Sequence, residues 1–399
     1  MTQAPSAPRL PLERPNPFDP PVRLAELREN EPISRLAFPD GHVGWLVTGY
    51  QEARDVLRDP RFSSRQELRH FPLDHALANE PMEPARPGMF IRMDAPEHGR
   101  LRRLLTGQFT VKRMKALEPR IQGFVDRALD ELEADGPGAD LVARFALPVP
   151  SLVICELLGV PYEDRARFQQ NSRTIMSLDS SREDIMGAFE SMGQFLHDLV
   201  MSKIAEPTDD ILGGLAATGE LTAEEMTNIA FLLLVAGHET TANMLGLGTF
   251  ALLRHPGELA RFRAEPEIAE AAVEELLRYL SIIHVGMTRT ALEDLDLHGT
   301  LVKAGECVIL SVSAGNRDPE RFENPDELDL ARPHGTGHLS FGHGVHQCLG
   351  QQLARVEMRI GLTTLVERFP NLRLAVAPED VPTKTNAIIY GVHSLKVAW

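Results

Sequence analysis

The sequence predicts a mainly α-helical protein with small β-sheets, because helical apolar spacing dominates the chain while strand patterns are short and few. A single long helical segment, Thr222–Leu253, adds to this prediction. In chain order, the shorter helical patterns cover Arg23–Asn30, Gln51–Arg58, Arg113–Glu133, Leu141–Leu158 before Gly159, Asp164–Ser177 and Arg182–Ile204. The strand patterns cover Val43–Thr48, Val308–Val312 and Leu372–Val376, and Ala387–Gly391 is typical of a hairpin bend.

The domain organisation is less obvious than the fold class. A length of 399 residues favours two or three domains, but no low-complexity linker or charged block marks a boundary. Seven prolines fall within the first 21 residues, and proline stiffens an extended backbone. We therefore expect residues 1–20 to form an arm that wraps a body made of residues 21–399.

Composition excludes several classes of protein. The net charge of −16 disfavours a nucleic-acid partner, because phosphates would be repelled. The N-terminus lacks the basic and apolar regions of a secretory signal, and the strongly apolar run Ile229–Gly237 is too short to span a bilayer. Cys155 and Cys307 lie in apolar runs typical of a core. These features predict a cytoplasmic protein without disulfides.

The segment Thr222–Leu253 predicts a helix long enough to cross the whole molecule. Thr222 and Glu225 form a capping box at its start. Its middle contains Gly237, Glu239 and Thr240 between apolar flanks. A solvated turn is one interpretation, but the apolar flanks favour an interior polar cluster at a local distortion, which is typical of functional sites.

The loop Phe341–Gly350 contains Cys348, and a helical run begins just after it. Three glycines in ten residues suit a backbone that approaches another group closely. A sulfur at a helix start faces unpaired N–H groups and the positive end of the helix dipole, which favour the thiolate. Such a loop suits a single axial bond to haem iron. The alternative is a buried structural cysteine.

Two further constellations are weak when taken alone. His98 and Arg102 are spaced i and i+4, so both can face one anionic group, although a basic surface is equally compatible. Glu275 and Arg278 lie on one helical face, which is typical of surface ion pairs. A second arginine from the loop that contains Arg332 would convert this pair into a buried network.

The four motifs together, in this order, strongly resemble the haem-thiolate monooxygenases, the cytochromes P-450, and in particular the soluble bacterial type. The resemblance extends from about Phe18 to Trp399. Its most specific parts are the loop Phe341–Gly350 and the sequence Ala236–Thr241. The resemblance implies one mainly helical triangular domain with small sheets, in which the long helix crosses over haem b.

The resemblance also implies a role for each motif residue. Cys348 would be the proximal thiolate ligand of the iron, with Phe341, Gly342 and Gly350 shaping its loop. The haem propionates would be bound by His98, Arg102, Arg289 and His346. Glu275, Arg278 and Arg332 would form a structural network. Ala236 and Gly237 would leave room for dioxygen, and Glu239 and Thr240 would deliver protons.

The implied reaction is insertion of one oxygen atom from O2 into a C–H bond, or epoxidation of an alkene. The chain has no flavin or nicotinamide fingerprint and no Fe–S cysteine cluster, so a separate ferredoxin and ferredoxin reductase would supply electrons. We expect a monomer that docks ferredoxin near Cys348 through a basic patch. The patch would contain Arg100, Arg103, Lys112, Arg113, Arg355 and Arg359.

The substrate is predicted only as a hydrophobic small molecule, with a macrolide or polyene polyketide favoured over a steroid, terpenoid or xenobiotic. By analogy with the family, segments 65–92 and 173–182 would roof its pocket. The pocket walls would include Leu233, Ala236, Val285, Gly286 and Ile389. The roof carries His70 and His75, whose roles stay open between ligand contact and solvent exposure.

Three rival interpretations differ from this one in protein class or in cofactor. A non-catalytic haem-thiolate sensor or carrier would keep Cys348 but would have little use for Glu239 and Thr240. A zinc hydrolase built on His238 and Glu239 requires a histidine where Ala242 stands. A c-type haem requires a C-x-x-C-H motif, which the sequence lacks.

Overall fold

The computed structural model describes residues 7–78, 80–333 and 337–399. Its helices are α1 (Val22–Asn30), α2 (Tyr50–Arg58), α3 (Glu97–Thr106), α4 (Val111–Asp135), α5 (Pro148–Leu158), α6 (Arg165–Met176), α7 (Arg182–Ala205), α8 (Ile211–Thr218), α9 (Ala223–Arg254), α10 (Pro256–Ala264), α11 (Ala269–Leu280), α12 (Val312–Gly315) and α13 (Gln351–Arg368). Its strands are β1 (Ile33–Ala37), β2 (Val43–Val47), β3 (Phe62–Ser63), β4 (Met287–Ala291), β5 (Leu295–Leu297), β6 (Thr300–Val302), β7 (Cys307–Leu310), β8 (Arg373–Leu374) and β9 (Val397–Ala398). The mainly helical class is confirmed.

The predicted helix Leu141–Leu158 is interrupted. Residues Val142–Ala146 form a π-helical turn, and α5 begins only at Pro148. Proline cannot donate the backbone hydrogen bond that would continue one regular helix through this position. The predicted stop is confirmed, because Gly159 adopts the left-handed conformation with φ of 66°.

One five-stranded sheet has the order β1-β2-β7-β4-β3. The pair β2/β7 is parallel, with Trp45 opposite Val308, and the other pairs are antiparallel. The predicted strand Val308–Val312 is too long, because the Ser311 side chain accepts the Ala314 N–H and starts α12. Two-stranded sheets β5–β6 and β8–β9 complete the strands of the described residues.

Helix α9 forms the centre of the core and packs against α5, α7 and α13. The predicted capping box between Thr222 and Glu225 is present. This helix is also long and apolar enough to cross a membrane by length and composition, but 78% of its apolar window is buried inside the protein. Its apolar character therefore reflects burial in the core.

The local distortion predicted in the middle of α9 does not interrupt the helix, which is continuous from Ala223 to Arg254. Its polar side chains bond to carbonyl groups one turn earlier without breaking the backbone ladder. The Thr240 hydroxyl donates to the Ala236 oxygen at 2.8 Å, and the Asn243 amide donates to the Glu239 oxygen at 2.8 Å.

The described part of the N-terminal arm, residues 7–20, lies along the body without helix or strand. Leu10 and Phe18 are buried, and the Phe18 ring centroid lies 4.9 Å from that of Phe250 on α9. The Arg14 guanidinium lies 4.0 Å from the centroid of the Tyr390 ring. The arm thus joins α9 to the C-terminal segment, while its division from the body as a separate unit stays a prediction.

Candidate active site

Cys348 lies in a tight loop that leads into α13. Its backbone N–H donates to the Phe341 oxygen at 2.8 Å. Gly342 and Gly344 have φ of 69° and 73°, a region that favours glycine. A Cβ atom on Gly344 would lie 2.5 Å from the Leu57 carbonyl oxygen. The predicted glycine-shaped loop is therefore confirmed.

The electrostatics of Cys348 differ from the sequence-based expectation. Burial raises the pKa of its thiol above the ordinary value, while the backbone N–H of Gly350 and the charges of Arg102 and Arg355 lower it. The expectation that the helix start alone favours the thiolate is wrong for the protein by itself. A coordinated metal ion deprotonates a thiol outright, and these nearby donors would then stabilise the anion.

Phe341 and Gly350 flank the cysteine on the two sides of the loop. The Arg355 guanidinium lies 4.6 Å from the centroid of the Phe341 ring. Gly350 has an ordinary φ of −84°, and a Cβ atom there would meet no described atom within 4 Å. Protein packing gives no reason for glycine at this position, whereas the close approach of a bound group would.

Four of the predicted binding residues line one cavity of about 1300 Å³: His98, Arg102, Arg289 and His346. His98 and Arg102 lie one turn apart on α3, and Arg289 lies on β4. The ring centroids of His98 and His346 are 4.0 Å apart. The structure thus brings together four side chains that come from three widely separated parts of the sequence.

These four side chains have no carboxylate within ion-pair distance among the described residues. Arg102 Nη2 donates instead to the Gln347 oxygen at 2.6 Å, and His98 Nε2 is buried without a partner. Burial and neighbouring cations lower the pKa of Arg289 to about 10 and that of His346 to about 3. Both effects disfavour the charged forms and would be offset by a bound anion.

Sequence reasoning missed two arginines beside this cluster. Arg92 lines the same cavity, and Arg69 Nη2 donates to Thr288 Oγ1 at 3.2 Å. Burial, followed by the charges of Arg69 and Arg289, holds the pKa of Arg92 well below its ordinary value. The signal available in the sequence was a pair of arginines in the predicted pocket roof, but nothing in their spacing indicated convergence on Arg289.

The middle of α9 presents one accessible face, made of Ala236, Gly237 and Thr240, although the helix around it is buried. A Cβ atom on Gly237 would lie 2.9 Å from Ile154 Cδ1 on α5. The missing side chain at Gly237 therefore serves close packing of α9 against α5. Room for dioxygen at Gly237, which the family resemblance implies, stays a prediction.

Glu239 is buried beside this face, as the apolar flanks predicted. Its Oε1 atom is buried without a hydrogen-bond partner and lies 3.9 Å from His238 Nε2. Its Oε2 atom lies 3.8 Å from Lys384 Nζ, and burial lowers the pKa of that lysine. Lys384 was missed because it lies 145 positions further along the chain, as the numbering shows.

The predicted network around Glu275 is present. Arg278 Nε and Nη2 contact the Glu275 carboxylate at 2.7 and 2.8 Å, and Arg332 Nε contacts it at 3.1 and 3.2 Å. Arg278 also donates to the backbone oxygens of Asn316 and Pro325 at 2.9 and 2.7 Å. The Glu275 and Arg278 side chains are each only 2% exposed, so this pair belongs to the core.

The predicted pocket walls lie in different surroundings. Leu233 is buried in α9, and Val285 packs in a core cluster with Leu10 of the arm. Gly286 has φ of 84°, and a Cβ atom there would lie 2.6 Å from the Leu310 oxygen, so its glycine serves the backbone. Ile389 is half-buried and pairs with Ile283. Their assignment as pocket walls stays a prediction.

The two roof histidines differ in environment. His70 Nδ1 lies 2.5 Å from Asp40 Oδ2, and its ring stacks on His42 with centroids 3.7 Å apart. His70 thus ties the roof to the turn between β1 and β2. His75 accepts the Leu77 N–H at 3.3 Å, and its Nε2 is buried without a partner.

The predicted basic patch is partly neutralised. Arg100 pairs with Glu225, Arg355 Nε lies 2.6 Å from Glu274, and Arg359 Nη2 lies 2.9 Å from Glu118. These side chains therefore contribute less to the local field than a count of positive residues suggests. The three other residues of the patch have no ion pair among the described residues: Arg103, Lys112 and Arg113.

Comparisons with known proteins show the family of this chain. Residues 196–392 match the family model described as Cytochrome P450. The chain is 52% identical to Cytochrome P450 105C1 from a Streptomyces species, over 97% of both chains. It is 46% identical to pentalenic acid synthase from Streptomyces avermitilis, over 98% of this chain and 96% of that enzyme. The crystal structure of CYP105P1 with filipin I superposes with a TM-score of 0.93 at 42% identity, covering 98% of this chain and 99% of that one.

Proposed function

This chain belongs to the cytochrome P450 family, and we propose that it hydroxylates a hydrophobic secondary metabolite with electrons from a ferredoxin. The family comprises haem-dependent monooxygenases whose cofactor is haem b. The observation that carries the proposal links Cys348 to the cavity lined by His98, Arg102, Arg289 and His346 (the cationic cavity). Arg102, which lines that cavity, donates to the backbone oxygen of Gln347, the residue next to Cys348.

The residues of the site fit haem b. Cys348 would bind the iron, and the cations of the cavity would bind the two propionates by charge-assisted hydrogen bonds. His98 Nε2, buried without a partner, would gain an acceptor in this way. Haem, when bound, supplies the activation of O2 and the transfer of one oxygen atom. Gly350 N–H, Arg102 and Arg355 would stabilise the thiolate of Cys348.

The accessible face of α9 would deliver protons to that chemistry. The Thr240 hydroxyl donates its hydrogen bond to the Ala236 oxygen. The Thr240 Oγ1 atom can therefore still accept a hydrogen bond from a proton donor. Glu239, with one carboxylate oxygen unpartnered, would pass protons inward. Lys384 faces the other oxygen at 3.8 Å and would hold the carboxylate in place.

A macrolide or polyene polyketide is our leading substrate class, and a steroid, terpenoid or xenobiotic is the alternative. The apolar side chains Leu233 and Ile389 support a hydrophobic ligand. The names of similar proteins refer to pentalenic acid, filipin I and leinamycin biosynthesis. Secondary metabolism is therefore the context that we propose for this chain.

Electrons would reach the haem from a separate ferredoxin and its reductase, and we propose that the enzyme acts as a monomer in the bacterial cytoplasm. An acidic ferredoxin would be attracted to a basic surface only where the positive charges are not already paired with carboxylates. Arg103, Lys112 and Arg113 meet that condition better than the ion-paired Arg100. We therefore narrow the docking surface to these three residues.

The test of this function is reconstituted turnover with a ferredoxin and its reductase. Macrolides, polyenes, steroids and small aromatics are first screened for perturbation of the haem spectrum, and each ligand that binds is then assayed for a product one oxygen atom heavier. Ferredoxin-dependent product is the expected result. Ligand binding without any oxygenated product would favour the sensor or carrier instead.

Replacing Thr240 by alanine is expected to uncouple electron use from product formation. We expect product per electron pair to fall by roughly one to two orders of magnitude, because positioned proton transfer is typically worth that or more, while substrate binding stays near wild type. Hydrogen peroxide release and product yield measure this. Thr240→Ser keeps the hydroxyl and should retain coupling. Thr241→Val changes the buried neighbour and should leave product per electron pair unchanged. Unchanged coupling in Thr240→Ala would refute the proton-delivery role.

A further inference from the structure

Three arginines converge at the edge of the cationic cavity. Arg69 and Arg92 come from the segment between β3 and α3, and Arg289 comes from β4. Arg69 Nη2 donates to Thr288 Oγ1 at 3.2 Å and Arg289 Nη1 donates to the Thr288 backbone oxygen at 2.8 Å. The Nε atom of Arg69 is buried without a partner. Two guanidinium groups thus meet at one strand residue, with Arg92 beside them.

The carboxylate that acts on this cluster is already engaged. Asp94 raises the pKa of Arg289 only against the stronger effects of burial and Arg69. Its two oxygens accept hydrogen bonds from Ser63 Oγ at 2.5 Å and from the Ser64 N–H at 2.8 Å. Among the described residues, no carboxylate lies within ion-pair distance of Arg69, Arg92 or Arg289.

Haem b would balance only part of this charge. Ferric iron, the porphyrin dianion and the cysteine thiolate together carry no net charge, so the haem adds the two negative charges of its propionates. Six arginines line the cavity, but Arg58, Arg65 and Arg103 are exposed to solvent. The guanidinium groups that are at least partly withdrawn from solvent in or beside the cavity are those of Arg69, Arg92, Arg102 and Arg289. Against two propionates and Asp94, these leave one positive charge without a counterpart. Charge that is partly withdrawn from solvent without a partner is costly, so a further anion would stabilise this arrangement.

Arg92 is the arginine best placed to contact that anion. Arg102 and Arg289 are assigned to the propionates, and Arg69 does not line the cavity, whereas Arg92 does. The same cavity is also lined by the apolar side chains of Phe62 and of Met93, the residue after Arg92. An apolar wall with one guanidinium fits a hydrophobic molecule that carries a single carboxylate.

We propose that Arg92, supported by Arg69, binds a carboxylate group of the substrate, so that the enzyme oxidises a hydrophobic monocarboxylic acid. This inference rests on the proposed monooxygenase function and narrows its hydrophobic substrate to molecules with a free carboxylate, which a neutral macrolide lactone lacks. Arg92 selects the substrate by charge and fixes one end of it. The oxidised carbon then lies in the apolar remainder of the molecule.

The experiment measures dissociation constants from haem spectral titrations of the holoenzyme with two matched pairs of probes. The pairs are dodecanoate with methyl dodecanoate, and abietate with methyl abietate. We expect each acid to bind at least about tenfold more tightly than its ester, as is typical of a charge-assisted hydrogen bond. Arg92→Gln should abolish this preference without changing ester binding, and Arg92→Lys should retain part of it.

Arg58→Gln is the matched control, because Arg58 lies on the same cavity but is exposed at the end of α2. Its acid-to-ester ratio should equal that of wild type. Wild-type protein without an acid preference would overturn the proposal, and so would a preference that survives in Arg92→Gln. If Arg92→Gln binds haem more weakly but its haem-loaded fraction keeps the wild-type ratio, Arg92 binds a propionate and the proposal is wrong.

The outcome also separates this inference from the function on which it rests. Equal binding of acids and esters, together with ferredoxin-dependent oxygenation, would reject the carboxylate site and leave the monooxygenase intact. Spectra that respond to neither member of any pair would count against the hydrophobic substrate class and against the inference together.

Discussion

Replacing Cys348 by serine is expected to abolish oxygenation to the background level. A serine hydroxyl does not supply the thiolate that favours O–O cleavage. Cys348→His should likewise abolish turnover, because a neutral imidazole is a different axial ligand. The measurement is product formation with ferredoxin and reductase, normalised to bound haem.

Cys155→Ala is the matched control for this prediction. Cys155 is buried in α5, and burial raises the pKa of its thiol to about 12, so it has no thiolate character to lose. This variant should retain haem and activity, apart from the modest cost of a small cavity. Turnover that persists in haem-loaded Cys348→Ser, or that disappears in Cys155→Ala, would contradict the assignment of Cys348.

The second large effect is expected on stability, from replacing Glu275 by glutamine. The change removes the negative charge shared by Arg278 and Arg332 while preserving the size of the side chain. Breaking a buried ion pair by removing one partner typically costs about 3–5 kcal/mol of unfolding free energy. We expect the lower end, about 3 kcal/mol, because Arg278 keeps its bonds to the oxygens of Asn316 and Pro325.

For a chain of 399 residues, this loss corresponds to a decrease in Tm of roughly 4 °C. Haem proteins of this size can unfold irreversibly, so the apparent Tm should be compared at one scan rate. Glu265→Gln is the control, because Glu265 forms an exposed pair with Arg261 at 3.3 Å. An equal shift in the two variants would show that burial of Glu275 contributes nothing.

The fold class was predictable because it depends on local periodicity, and the long helix α9 was predictable because its cap and apolar run are local signals. The strands β3 and β4 were not, because β3 forms only by pairing with the distant β4, which in turn pairs with β7. The end of β7 was misjudged for a similar reason. Val312 has strand propensity, but the Ser311 cap draws it into a helix.

The candidate site was predictable where the functional residues lie within a recognisable sequence motif. Cys348, Glu239 and the Glu275 network were found in this way, and the contacts of that network agree with the expectation. Lys384 was missed because it reaches the site from a distant segment. Arg92 lies only six positions before His98, but no spacing rule indicated that it lines the same cavity. The pKa direction of Cys348 was also misjudged, because burial is a property of the whole fold and not of the loop sequence.

The reduced carbon monoxide spectrum of the wild-type holoenzyme tests the central claim most directly, because it reports the axial ligand before any substrate is known. The central claim is that Cys348, as a thiolate, binds haem iron beside the cationic cavity. The account predicts the absorption band specific to thiolate-ligated haem, and its loss in Cys348→Ser and Cys348→His. A wild-type spectrum typical of histidine-ligated haem, or a thiolate band that persists in both variants, would contradict it.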